Sequence, residues 1–265
     1  MMNAPIDMRV LELLCSRLCH ELISPVSAIG NGIELMGEEP SDSLSEVTAL
    51  LAYSSGQASR RLQFYRQAYG FGASQTPSAG LAQAGELVRG MVDLDKVTVV
   101  WPEETGAIVL GRIGIKALLN AALLGIEALP RGGTLTVSVS GADEAEVRIA
   151  AAGEGAKLHA ESIAALAVDA DIAMLTPRSV QAHFVALLAA ALGGGASHDQ
   201  DGDGPATITV RFPSAAESDI AVEIPLLIAS RTRASVVTST TLGPERLHRR
   251  PSFNERAVHR EMIPA

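Results

Sequence analysis

Aromatic residues are scarce in this 265-residue chain: one Trp, three Tyr and five Phe make up 3% of it. Hydrophobic residues nevertheless reach 47%, so the core has to be built from Ala, Leu and Val, with small side chains and close approach of the elements. Cysteine is nearly absent. Cys15 and Cys19 sit four apart on one predicted helix, which is no disulfide framework and points to a reducing cytosol. A zinc site wants about four ligands, and no second Cys/His pair at metal-like spacing accompanies them. Both cysteines are read as small residues at the edge of a core. No uncharged apolar run reaches the ~20 residues needed to span a bilayer, and no basic stretch followed by an apolar run opens the chain. The formal charge of −9, without a long basic stripe, argues against nucleic acid as the main partner. A soluble, cytoplasmic protein of one large or two smaller domains is expected, with no membrane contact.

What is present begins with a long amphipathic helix, predicted from about Ile6 to Gly37. At about 100° per residue, Leu11, Leu14, Cys15, Leu18, Leu22, Val26, Ile29, Ile33 and Met36 fall within one apolar stripe, and His20 lies opposite its centre. Ser16, Ser24, Ser27, Asn31 and Glu34 share the side of His20. Pro25 is expected to bend the helix, because it lacks an amide donor and crowds the preceding turn. "GEEPSDS" (Gly37–Ser43) reads as a turn, with Gly37 as C-cap and Ser41 or Ser43 as N-cap. A second helix follows, about Leu44 to Tyr69, with Val47, Leu50, Leu51, Ser54, Ala58, Leu62 and Tyr65 as its inner stripe. Two long helices with a short connection predict an antiparallel hairpin. Each stripe is wider than one partner helix covers, so dimerisation into a four-helix bundle is expected.

"GFGASQTPSAG" (Gly70–Gly80) is a Gly/Ser/Pro linker and the predicted domain boundary. Beyond it the pattern is mixed: a helix over Leu81–Val92, a strand over Val97–Trp101, and a long apolar helix over Val109–Leu129 ended by Pro130. The strands "TLTVSVSG" and "EVRIAAAG" come next, then helices over Leu158–Ala167 and Arg178–Leu192 and a last strand over Thr207–Phe212. Helices layered on a mixed sheet fit this order. From Arg231 onward there are seven Arg, no Lys and three Glu, without a steady apolar period. The division predicted is a helical-hairpin dimerisation domain over 1–72, an α/β domain over 80–214, and a mostly disordered Arg-rich tail over 215–265.

The hairpin, the α/β domain and "HELISP" (His20–Pro25) together resemble the core of a sensor histidine kinase. In that family the first bundle helix carries a phosphorylatable His followed by an acidic residue, with Pro five positions on; here these are His20, Glu21 and Pro25. The second half resembles the kinase ATP-binding fold with its ligands missing. A helix ending in Pro-x-Gly-Gly carries, in the family, a magnesium-binding Asn six residues before that Pro. The turn here is "PRGG" from Pro130, and the matching position is Leu124, which offers no oxygen donor. Asn120 matches an earlier Asn of the same motif that is not the metal ligand. The adenine-binding Asp position is Ala151, although Gly153 and Gly155 remain. The glycine-rich lid is replaced by "TPRSVQ" (Thr176–Gln181).

A phospho-accepting helix joined to a domain without a nucleotide site resembles the ChpT-type histidine phosphotransferases of alphaproteobacteria, over about Leu14 to Pro213. The fold class implied is α+β: a hairpin forming a dimeric four-helix bundle, followed by a degenerate histidine-kinase-type (Bergerat-like) α/β sandwich. The resemblance implies a homodimer that relays a phosphoryl group from the receiver domain of a hybrid kinase (CckA-like) to response regulators (CtrA-like and CpdR-like). It implies no cofactor of its own, with magnesium on the partner receiver.

In that chemistry an imidazole nitrogen attacks an aspartyl phosphate in line, and catalysis is mostly positioning and charge neutralisation. His20 is the expected nucleophile, and Glu21 would orient the imidazole or take its proton. Arg17 and Ser24, one turn to either side, are candidates for contact with the phosphoryl group or a receiver. Ser27 and Asn31 continue that face as interface candidates. The alternative is a non-catalytic dimeric pseudokinase module that docks receivers without carrying phosphate.

Overall fold

The computed structural model describes residues 7–38, 44–70, 80–102, 110–141 and 143–213. The expected turn around Pro40, most of the Gly70–Gly80 linker and the Arg-rich tail lie outside the described residues. Two helices open the fold, α1 (Met8–Glu38) and α2 (Leu44–Ala68). Helix α3 (Leu81–Arg89), strand β1 (Val97–Val100) and helix α4 (Arg112–Glu127) follow. The hairpin β2 (Gly133–Ser140) and β3 (Glu144–Ala152) then leads to α5 (Ala160–Ala165), a 3-10 turn at Ile172–Met174, α6 (Val180–Ala191), β4 (Gly195–Asp199) and β5 (Ala206–Pro213). The class is α+β, as the sequence predicts.

One mixed five-stranded sheet runs in the order β1-β2-β3-β5-β4. β1 pairs parallel with β2, and every other pairing is antiparallel. Helices α4 and α6 supply the core over it, including Leu118, Leu119, Leu124, Val180 and Val185, against Leu135, Ile149 and Ile208 of the strands. The scarcity of rings shows in the packing distance. A methyl at Gly125 would meet Leu135 and Ile149 at 2.6 Å, so α4 lies closer to the sheet than any side chain there permits. Gly132 and Gly133, at φ +84° and +135°, make the turn into β2 in backbone regions that L-residues rarely adopt.

Within the hairpin the buried face is narrower than the predicted stripes. On α1, Val10, Leu14, Pro25 and Gly32 are buried, whereas Leu11, Cys15, Val26, Ile33 and Met36 are exposed. On α2, Val47, Ser54, Ala58 and Tyr65 are buried, and Leu50 and Leu62 are exposed. One flank of each stripe faces the partner helix or the α/β layer, and the other faces away. Both cysteines are exposed rather than at a core edge. α1 continues as one helix through Pro25.

The expected strands and helices of the α/β half are present, with α5 shorter than predicted and one strand added. β4, "GASHD", has no apolar alternation of its own; its strand character comes from pairing with β5, Gly195 opposite Arg211 through Asp199 opposite Thr207.

Candidate functional site

His20 lies mid-way along α1 and is exposed, as are Ser24, Ser27 and Asn31. Four of the six residues singled out therefore share one open face. The other two, Glu21 and Arg17, are tied down within the chain.

Glu21 is fixed by a consequence of Pro25. A helix joins each carbonyl to the amide four residues on, and Pro25 has no amide to give the carbonyl of Glu21. Arg61 of α2 fills the gap: its Nη1 donates to the Glu21 carbonyl oxygen at 2.8 Å and to the Glu21 carboxylate at 2.6 Å. The residue after the histidine is thus clamped from main chain and side chain at once, which sets the azimuth of α1 where His20 emerges.

Arg17 is not on the open face. It is 8% exposed and is ion-paired to Glu127 at the end of α4. Its Nη1 also donates to the carbonyls of Pro177 at 3.2 Å and Arg178 at 3.4 Å. Burial disfavours its charge, but Glu127 and neighbouring groups outweigh that and hold the guanidinium above its ordinary value. Burial pushes the Glu127 carboxyl up, against the pull of Arg17 and, more weakly, of Arg178. The helical phase that places Arg17 one turn from His20 also turns it toward the α/β layer, and a partner 110 residues away in sequence gives no local signal.

Arg9, two turns earlier, does similar work. Its guanidinium donates to the carbonyls of Ile172, Ala173 and Leu175 at 3.0–3.2 Å. Two arginines of α1 therefore fasten the segment 172–178. A third fastening is buried. Asn120 donates to the carbonyl of Ala68 at 3.0 Å and accepts from Gln181 at 2.6 Å, while Gln181 accepts from the Tyr69 hydroxyl. The end of α2 is thereby joined to α4 and α6. Four of the chain's nine aromatic residues gather at this seam, with Tyr65 stacked on Tyr69 and Phe64 and Phe184 edge-on. Burial raises the pKa of both tyrosines.

Between α1 and the fastened segment opens a cleft of about 350 Å³. His20, Glu21 and Arg17 line it from α1, Glu127 from α4, and His159, Pro177 and Arg178 from the α/β layer. Nothing in the local sequence marks His159 or Arg178; both are exposed and lie far along the chain from His20. Leu124 and Ala151, the departures from the kinase pattern read in the sequence, are both fully buried in the core. Among the described residues, no three His, Cys, Asp or Glu side chains form a metal-binding group, and no helix is long and apolar enough to cross a membrane.

A histidine carried on a helical hairpin and facing a kinase-like α/β layer defines a protein of the histidine phosphotransfer class. Residues 81–204 match the family described as histidine phosphotransferase C-terminal domain. The protein phosphotransferase ChpT of Brucella abortus (strain 2308) is 38% identical over 145 residues, spanning 54% of this chain and 68% of the relative. A solved bacterial phosphotransferase superposes with a TM-score of 0.65 at 28% identity, covering 79% of this chain and 99% of that one. The histidine kinase AdeS of Acinetobacter baumannii is more distant, with a TM-score of 0.38 at 14% identity over 74% of this chain and 98% of its own. The chain belongs to the ChpT family of protein phosphotransferases.

Proposed function

We propose that this phosphotransferase relays a phosphoryl group between aspartates of receiver domains through His20, without using ATP. The observation that carries the reading is an open His20 at the rim of a cleft whose far wall is fastened to the same helix. Two features support a phosphoryl donor from outside the chain: the α/β layer is held at three points by Arg9, Arg17 and Asn120, and Leu124 and Ala151 are apolar where the resemblance expects nucleotide ligands. A receiver supplies its own magnesium.

In the forward step the unprotonated imidazole nitrogen of His20 attacks the phosphorus of an aspartyl phosphate. The N–P bond forms as the acyl P–O bond breaks, and the aspartate leaves as a carboxylate; the other ring nitrogen keeps its proton. The reverse step hands the phosphoryl group to a second receiver. Glu21, held by Arg61, orients the helix and the electrostatics beside the imidazole rather than acting as a free base. Ser24, Ser27 and Asn31 form the face a receiver meets. Candidate partners are CckA-like hybrid-kinase receivers and CtrA-like or CpdR-like regulators, in the cytoplasm.

The unit that acts is a homodimer. Leu11, Val26, Ile33 and Leu62 are 49–61% exposed, a run of large apolar side chains on the helices away from His20, and a second hairpin would cover them as a four-helix bundle. Incubation with labelled ATP alone, and separately with a receiver charged by labelled acetyl phosphate, tests the donor. Label should reach this protein only from the receiver and should be acid-labile and base-stable. Label taken directly from ATP would refute the reading, and label that never leaves the receiver would favour a docking module.

A further inference from the structure

We propose that Arg178 is the cation that binds the phosphoryl group while it rests on His20, and that Glu161 holds Arg178 in reserve when His20 is free. This rests on the relay reading above and adds to it a phosphoryl-binding residue from the α/β layer.

The charges around the cleft are mostly committed. Arg17 is paired with Glu127, and Arg61, next to the cleft residue Glu21, is paired with it. A phosphoryl group on His20 brings up to two negative charges to an opening already lined by two carboxylates. Arg178 is the lining cation held most loosely: its Nη1 lies 3.6 Å from Glu161, with 58% of its side chain exposed. A contact of that length and exposure is worth little, whereas a guanidinium meets phosphoryl oxygens in a bidentate, charge-assisted pair.

The backbone beneath this side chain is fixed. The carbonyl of Arg178 accepts from Arg17. Thr176 and Ser179 exchange hydrogen bonds across it, the Thr176 amide to the Ser179 hydroxyl at 2.9 Å and the Ser179 amide to the Thr176 hydroxyl at 3.1 Å. The Thr176 hydroxyl donates in turn to Glu161 at 2.8 Å. A rigid base carrying a loosely held guanidinium at the mouth of the histidine's cleft is suited to a charge that comes and goes. His159, on the same wall, is a second polar group facing that opening.

The test is the equilibrium partition of label between a receiver domain charged with labelled acetyl phosphate and this protein, measured on the full chain at concentrations where both are mostly free. A residue that only docks the receiver changes the rates in both directions alike and leaves the partition unmoved. A residue that binds the phosphoryl group on His20 shifts it. Arg178→Ala should move the partition about fivefold toward the receiver, and Arg178→Lys should recover part of that, since it restores charge without the planar fork. Glu161→Gln, which keeps an acceptor for Thr176 and releases Arg178, should move the partition toward His20. Wild-type partition in all three variants, with altered rates or none, would overturn the assignment while leaving the relay intact. A wild-type protein that takes no label on His20 would overturn both.

Discussion

Arg61 donates to the backbone carbonyl of Glu21 at 2.8 Å, the carbonyl that Pro25 leaves without a helical partner. The proline five residues after the histidine is therefore half of a device, and the other half comes from the facing helix. The first prediction follows from that coupling. Arg61→Ala should cost about 1–2 kcal/mol in urea unfolding, because a part-buried carbonyl and carboxylate lose their donor. In a Pro25→Ala background the same change should cost less, since the restored amide satisfies the carbonyl. Equal costs in the two backgrounds would break the link.

The Arg17–Glu127 pair should behave as a buried bridge. Glu127→Ala strands a guanidinium that is 8% exposed, and such losses run to roughly 3–5 kcal/mol. Arg17→Met combined with Glu127→Leu should recover much of this, because the desolvation cost of both charges disappears with them. Chemical denaturation of the two single variants and the double variant checks the sign.

Alkaline pH should weaken the seam. Burial holds the phenols of Tyr65 and Tyr69 above the ordinary tyrosine value. A folded pKa raised above the unfolded one gives stability that is complete below the unfolded value, about 10, and is lost as pH climbs toward the folded value. The unfolding midpoint should therefore fall above about pH 10, and the fall should be shallower in Tyr69→Phe. A flat midpoint across that range, or an identical slope in the variant, would contradict the burial account.

Dimerisation should depend on the apolar flank of α1 that faces away from the α/β layer. Val26→Glu and Ile33→Glu place charges on side chains that are 56% and 61% exposed in the single chain, so the protomer should keep its helicity while its mass in light scattering halves. A monomeric wild type, or a dimer indifferent to both changes, would remove the four-helix bundle from the account.

What the sequence discloses and what it hides divide by range. Helical phase alone separates His20, Ser24, Ser27 and Asn31 from the apolar stripe, because those positions are fixed by local geometry. The same phase cannot say which flank of the stripe is covered by the chain itself and which is left for a partner, so Leu11 and Val26 are placed with Leu14 although only Leu14 is buried. The roles of Arg17 and Arg61 depend on partners 110 and 40 residues away, and nothing in their local sequence marks them. Strand β4 is invisible for a related reason: "GASHD" is an edge strand that β5 specifies by pairing. Leu124 and Ala151 are read as departures from the kinase pattern because they sit at fixed distances from the glycine turns; the structure buries both side chains fully.

The central claim is tested most directly by a two-receiver chase. A receiver charged with labelled acetyl phosphate is freed of donor, then mixed with this protein and a second, uncharged receiver. Label should pass from the first receiver to this protein and on to the second, with the phosphate mapped to His20 by mass spectrometry under alkaline conditions, and His20→Ala should block arrival at the second receiver. Label reaching the second receiver equally well with His20→Ala, or mapping to any other residue of this chain, would contradict the account.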